Sequence, residues 1–175
     1  MALAIDASPI GTATNNSYVT LAEADTYFDS RLNVSVWTDA TTDNKNRALV
    51  QATRRIDYEE YYGDREFPDV PQVLSFPRIN LGTFDGIDLD SIIPLQVKEA
   101  TYELAIYMLS VDMSQPSVDT STKSEVKIGS LAVKYNIDKG DNTTQNFDTL
   151  PPNVVSLLED LSPSINSGAF FTVSR

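Results

Sequence analysis

Four apolar runs at helical spacing, three of them opened by a capping box or a proline, constrain this chain towards a mainly α fold. Thr20 and Glu23 stand at N-cap and N3 spacing, and Leu21, Ala24, Phe28 and Leu32 follow. The spacing predicts a first helix from about Leu21 to Leu32. A second runs from Thr42 or Asp43 to about Tyr58. It carries Ala48, Leu49, Ala52 and Ile56 on one side and Arg47, Gln51, Arg54 and Tyr58 on the other. Pro94 opens a third helix that reaches about Val111, with apolar positions on more than one face. Leu150-Pro151-Pro152 opens a short fourth to about Leu161.

Between the second and third helices, residues 59 to 92 hold no period and are punctuated by Pro68, Pro71, Pro77, Gly82 and Gly86. The expectation is a surface wrap pinned into the core by Val73, Leu74 and Phe76. A β-hairpin is expected at about 124–136. Val126 and Ile128 alternate up to Gly129-Ser130, and Leu131 and Val133 alternate away from it. That register opposes Ile128 to Leu131, Val126 to Val133 and Glu125 to Lys134. A lone hairpin is marginal, so its Val126, Ile128, Leu131 and Val133 face is expected to pack on the bundle or on a neighbouring subunit. The organisation is therefore an N-terminal arm (1–16), a helical domain with the hairpin inserted (17–161) and a C-terminal tail (162–175). Both ends lack a helix period and are expected to be mobile.

A chain of 175 residues with 41% hydrophobic content has enough apolar side chains for one core. It contains no histidine and no cysteine. That excludes a disulfide framework, thiol nucleophiles, Ser-His-Asp triads, imidazole ligands and Cys-based metal centres. Glu99 and Glu103 share a helix face, but no phosphate loop or base joins them, so they read as a solvated or interface-facing pair. Asp85, Asp88 and Asp90 depart from the calcium-loop order and read as a solvated turn. No catalytic residue, cofactor or metal is expected. The opening MALAIDASPIGT has no basic n-region and its apolar run is cut by Asp6, so no targeting segment is expected. The stretch from Ile92 to Val111 is broken by Lys98, Glu99 and Glu103, so the chain is expected to be soluble.

Charge decides which partners are plausible. Lys plus Arg number 13 against 25 acids, a net charge of -12. Such a field repels nucleic acid at long range, although a local basic face can survive it. The candidate face is the second helix, where Lys45, Arg47, Arg54 and Arg55 cluster and Tyr58 is available to stack on a base. Asp57, Glu59, Glu60, Asp64 and Glu66 follow at once and are expected to neutralise it. Arg54 and Arg55 then form ion pairs, within the chain or across a subunit boundary. Trp37 reads as a core plug at the first helix corner. Tyr58, Tyr61 and Tyr62 either form an exposed patch or close the core.

The ordered motifs SYVTLAEADTYF, Trp37, RALVQATRRID, QVLSFPR and IPLQVKEATYELA resemble a tailed-phage family. Its members are labelled either DnaT-like single-stranded-DNA-binding proteins or head–tail connector (adaptor) proteins. Phe76 stands where the family often has Trp, which keeps an aromatic plug. The connector label implies a structural subunit of a homo-oligomeric ring, expected to be twelvefold, in the virion at the head–tail junction. Such a ring assembles in the host cytoplasm, docks beneath the portal protein, meets a tail or stopper protein and passes DNA through its channel. By the same resemblance the C-terminal Ala169, Phe170, Phe171, Thr172 and Val173 dock on the portal as an added strand, the alternative being a tail folded back on its own bundle. The acidic charge favours the connector expectation. Single-stranded-DNA binding is the alternative.

Overall fold

The structure is a computed structural model that describes residues 3–7, 15–67, 72–84, 86–111, 125–128, 131–134, 150–163 and 165. The chain divides into two compact units. One is Met1–Val111 with Leu150–Arg175, and the other is Asp112–Thr149. Among the described residues the first unit holds five helices: α1 (Leu21–Asp29), α2 (Ser35–Thr38), α3 (Thr42–Asp57), α4 (Leu95–Ser110) and α5 (Pro152–Leu158). It also holds two short antiparallel ladders, β1 (Asp64–Arg65) with β2 (Arg78–Ile79) and β3 (Thr83–Phe84) with β4 (Ile87–Asp88). The second unit holds the hairpin, β5 (Glu125–Ile128) with β6 (Leu131–Lys134). The fold is mainly α. Among the described residues no helix is long and apolar enough to cross a membrane.

Local signals set the helix starts. Thr20 accepts from the Glu23 amide at 3.2 Å, and the Thr20 amide donates to the Glu23 carboxylate at 2.7 Å, which closes the capping box of α1. Thr41 caps α3 by accepting from the Asn44 amide. Pro94 and Pro151 occupy the N-cap positions of α4 and α5, where a missing N–H costs nothing. The α4 helix is the centre of the bundle, packing against α3, α5 and α2. Its Val97, Ala100, Thr101, Leu104 and Ala105 are buried. That accounts for apolar positions spreading around it.

Trp37, carried on α2, is a buried plug as expected. Its ring lies 4.5 Å from that of Phe28, and its indole N–H donates to Asp25 at 2.9 Å. Lys45 reaches the same carboxylate at 3.0 Å, with its ammonium 5.1 Å from the centre of the Trp37 ring. The hairpin pairs in the expected register, with Glu125 opposite Lys134, Val126 opposite Val133 and Ile128 opposite Leu131. The side chains of that face lie outside the described residues.

Four expectations need correction. The first helix stops at Asp29 rather than Leu32, because Ser30 turns its hydroxyl onto the Tyr27 carbonyl and Asn33 adopts a positive φ that redirects the chain into α2. Leu32 is consequently 84% exposed and not part of the core stripe. Residues 59–92 wrap the surface but contain the β1–β2 and β3–β4 ladders. Leu74 and Phe76 are pinned inside, whereas Val73 is 46% exposed. The described part of the arm is tied down by hydrogen bonds. The Asp6 carbonyl accepts from the Asn16 amide at 3.0 Å, and Asn46 of α3 donates to the Leu3 carbonyl at 3.1 Å. Finally, Glu103 is 6% exposed and not solvated. It accepts from Tyr27 at 2.6 Å and Asn153 at 2.8 Å and pairs with Arg31, joining α1, α4 and α5.

Candidate nucleic-acid interface

The inward side of α3 ends in a hydrogen-bonded knot. Asp57 accepts from the Tyr18 hydroxyl and, at 2.6 Å, from the Ser75 amide, both on its Oδ1. Burial, with the Asp57 charge second, pushes the Tyr18 phenol well above its ordinary pKa, so it stays a donor. Phe76 fills the space beside it, its ring 5.9 Å from Tyr18 and 4.7 Å from Tyr61. Tyr61 is also raised, chiefly by burial, and donates to the Ile56 carbonyl at 2.7 Å. Thus Tyr61 closes the core, whereas Tyr58 and Tyr62 are exposed.

The loop that delivers Ser75 and Phe76 is held by its own polar residues. Gln72 donates to the Leu74 and Pro77 carbonyls at 2.9 Å each. Arg78 gathers the carbonyls of Gly63 at 2.6 Å, Tyr62 at 2.7 Å and Tyr61 at 3.2 Å. Gly63 sits at φ +71, and a Cβ there would meet the Ile79 carbonyl oxygen at 2.4 Å, so only glycine fits beside β2.

The outward side of α3 presents Arg47, Gln51, Arg54 and Tyr58, all exposed. Spacings of four, three and four keep them on one stripe, and the helical rise makes it about 16 Å long. Tyr58 retains helical backbone angles at the C-cap, so it continues the stripe, and it is 89% exposed. Among the described residues the other cations are occupied. Arg31, Lys45, Arg55 and Lys98 are ion-paired with Glu103, Asp25, Glu59 and Glu23, and Arg65 and Arg78 donate to main-chain carbonyls. Arg47 and Arg54 have no acidic partner among the described residues.

The acids at the end of α3 and just beyond it do not all face this stripe. Asp57 serves Tyr18 and Ser75, Glu59 pairs with Arg55, and Asp64 accepts from Asn80 at 3.2 Å. Glu60 is the exposed acid at the Tyr58 end. Beside Arg54 and Tyr58 the stripe runs into a cleft of about 240 Å³, also lined by Asn15, Asn16, Asp57, Val73 and Leu74. The exposed Val73, expected in the core, supplies an apolar part of this wall. Its role is not readable from the periodicity of the loop.

The remaining candidates separate from this face. Arg55 pairs within the chain. The Asp88 and Asp90 carboxylates accept from the Asp90 and Leu81 amides at 3.0 and 2.9 Å, holding their own turn, and Asp85 lies outside the described residues. So do Ala169, Phe170, Phe171, Thr172 and Val173. Among the described residues no cluster of acidic side chains could hold a metal ion.

Four of the quoted motifs therefore meet as scaffold. SYVTLAEADTYF contributes Tyr18, RALVQATRRID Asp57, and QVLSFPR Ser75 and Phe76, while IPLQVKEATYELA anchors α1 through Lys98 and Glu103. The same RALVQATRRID run also carries the exposed Arg47, Gln51 and Arg54. No curated protein and no solved structure matches the chain. A family model described as putative DnaT-like ssDNA binding protein matches residues 1–175. It agrees with the DnaT-like side of the resemblance and carries no reference to a head–tail connector. With the match running from end to end, the chain belongs to the putative DnaT-like ssDNA-binding protein family.

Proposed function

We propose that the chain is a single-stranded-DNA-binding protein whose contact face is the Arg47–Gln51–Arg54–Tyr58 stripe of α3. The observation that carries the reading is the pairing of two exposed guanidinium groups, which have no acidic partner among the described residues, with a tyrosine exposed over most of its surface. Arginine neutralises phosphate and an exposed ring stacks on a base of any sequence. The family's description supports the same reading.

Magnitude sets how the binding works. One stacked base contributes about 1–3 kcal/mol, whereas micromolar affinity requires about 8 kcal/mol. A net charge of -12 works against the rest. Several copies must therefore act along one strand, and affinity rises with oligonucleotide length. The test is a fluorescence-anisotropy titration of the full chain with labelled 12-mer and 40-mer single strands at several salt concentrations. The 40-mer binds tighter, and Arg47→Ala with Arg54→Ala weakens the binding and flattens its salt dependence. An unchanged titration for the double variant overturns the assignment of the face.

The net charge favours a second reading, in which the chain is a ring subunit of a phage head–tail connector. Acidic walls let DNA slide without adhering. On this reading the protein binds neither single- nor double-stranded DNA at physiological salt, has the native mass of a ring and sediments with portal. Deleting Gly168 to Arg175 abolishes that attachment. A monomeric native mass together with salt-sensitive DNA binding counts against it.

A further inference from the structure

We infer that the cleft at the end of the stripe is a base subsite that selects amino-bearing bases, cytosine above thymine. This inference rests on the single-stranded-DNA reading and adds a specificity to it. The cleft of about 240 Å³ is lined by Arg54, Asp57, Tyr58, Val73 and Leu74 together with Asn15 and Asn16. It is smaller than the roughly 300–1,000 Å³ of a pocket for a drug-sized ligand, which suits one flat ring system rather than a nucleotide chain. Tyr58 and the exposed Val73 supply the aromatic and apolar surfaces against which a base packs. Arg54 lies where the phosphate of the same nucleotide is met.

Asp57 gives the subsite its preference. Tyr18 and Ser75 both donate to Oδ1, which fixes the carboxylate, and among the described residues no donor reaches Oδ2. A carboxylate oxygen accepts from an exocyclic amine, as on cytosine N4, and repels the carbonyl that thymine presents in its place.

The experiment titrates the full chain at low salt with labelled dC, dT and abasic 12-mers, followed by anisotropy. The dC strand binds about fivefold tighter than dT, the abasic strand binds weakest, and Asp57→Asn narrows the dC–dT ratio towards one. Because Asp57 also holds the fold, Tyr58→Ala serves as the second variant; it brings the dC and abasic titrations together with an unchanged melting curve. Equal binding of all three strands overturns the base subsite and leaves the phosphate-binding face standing. No binding of any strand overturns both. A dT preference overturns the role of Asp57.

Discussion

The two sides of α3 are made from one short run of sequence and obey different rules. On the inward side Leu49, Ala52, Thr53 and Ile56 are fully buried, and Thr53 accepts from the Tyr18 amide at 3.3 Å. Each of these positions is specified by a neighbour that would lose a contact if it changed. On the outward side Arg47, Gln51, Arg54 and Tyr58 touch little that the fold needs. Residues that the fold does not require, in a run otherwise occupied with folding, are where a binding role is to be sought. The comparison also shows why a resemblance built on motifs is ambiguous: most of its letters describe the bundle, and few describe what the bundle presents.

The comparison breaks most visibly from the inward side. Phe76→Ala empties a buried site between Tyr18 and Tyr61. It is expected to cost about 3–5 kcal/mol, a large share of a typical domain's 5–15 kcal/mol. Urea unfolding should show the midpoint collapse; a shift typical of a surface substitution would mean that the knot is not a core element.

Next comes Glu103→Ala. It deprives Tyr27, Asn153 and Arg31 of their shared acceptor. Hydrogen bonds to a buried charge are worth about 1.5–3 kcal/mol, and Arg31, which is partly exposed, regains water. A loss of about 2 kcal/mol is expected in the same measurement. A neutral outcome would show that the three contacts to Glu103 add no net stability.

Glu103 marks where sequence reasoning stops. Helices α1, α3, α4 and α5 were legible because their caps and periods are local, such as Thr20 with Glu23 and the prolines before α4 and α5. The single turn of α2 has neither a side-chain cap nor a period and was not expected. The hairpin register was legible because apolar pairs, the Glu125–Lys134 pair and the turn residues agree over a dozen positions. Glu103 takes its partners from residues 76 and 50 positions away, and no local pattern announces that. The β1–β2 ladder is likewise held by Arg78 reaching back to the 61–63 carbonyls. For the candidate site, the spacing of Arg47, Gln51, Arg54 and Tyr58 was visible. What the sequence concealed was that Glu59 turns to Arg55 and that Asp57 commits one carboxylate oxygen to Tyr18 and Ser75.

Smaller effects sharpen the contrast. Thr20→Ala opens the capping box of α1 and is expected to cost about 1 kcal/mol, read as a fall in Tm. Glu23 also pairs with Lys98 at 2.9 Å. Burial alone would raise its pKa, but the hydrogen bonds from Lys98 and Thr20 outweigh it and leave the carboxyl below its ordinary value of 4.5. A lowered native pKa stabilises the fold above the unfolded value, and that contribution is lost as pH falls through the native one. The Tm difference between the wild type and Glu23→Gln should therefore be constant from neutral pH to about pH 5 and shrink below the ordinary glutamate pKa. A difference that persists well below that value would assign the stabilisation to packing and not to charge.

The smallest effect on stability is the one the comparison depends on most. Arg47→Ala with Arg54→Ala removes two exposed side chains that have no acidic partner among the described residues. Surface substitutions of this kind fall within about 0.5 kcal/mol. Ala is a slightly better helix former than Arg, which leans the change towards no loss at all. The single-stranded-DNA reading demands more of the same variant: two phosphate contacts fewer, and therefore a salt slope for binding shallower by about 1.4 per chain engaged. Melting and salt-dependent anisotropy on one preparation separate the possibilities. Unchanged Tm with weakened binding assigns the outward side to DNA. Unchanged Tm with unchanged binding at every salt moves the contact off α3, and a fall of several degrees would show that these arginines belong to the scaffold after all.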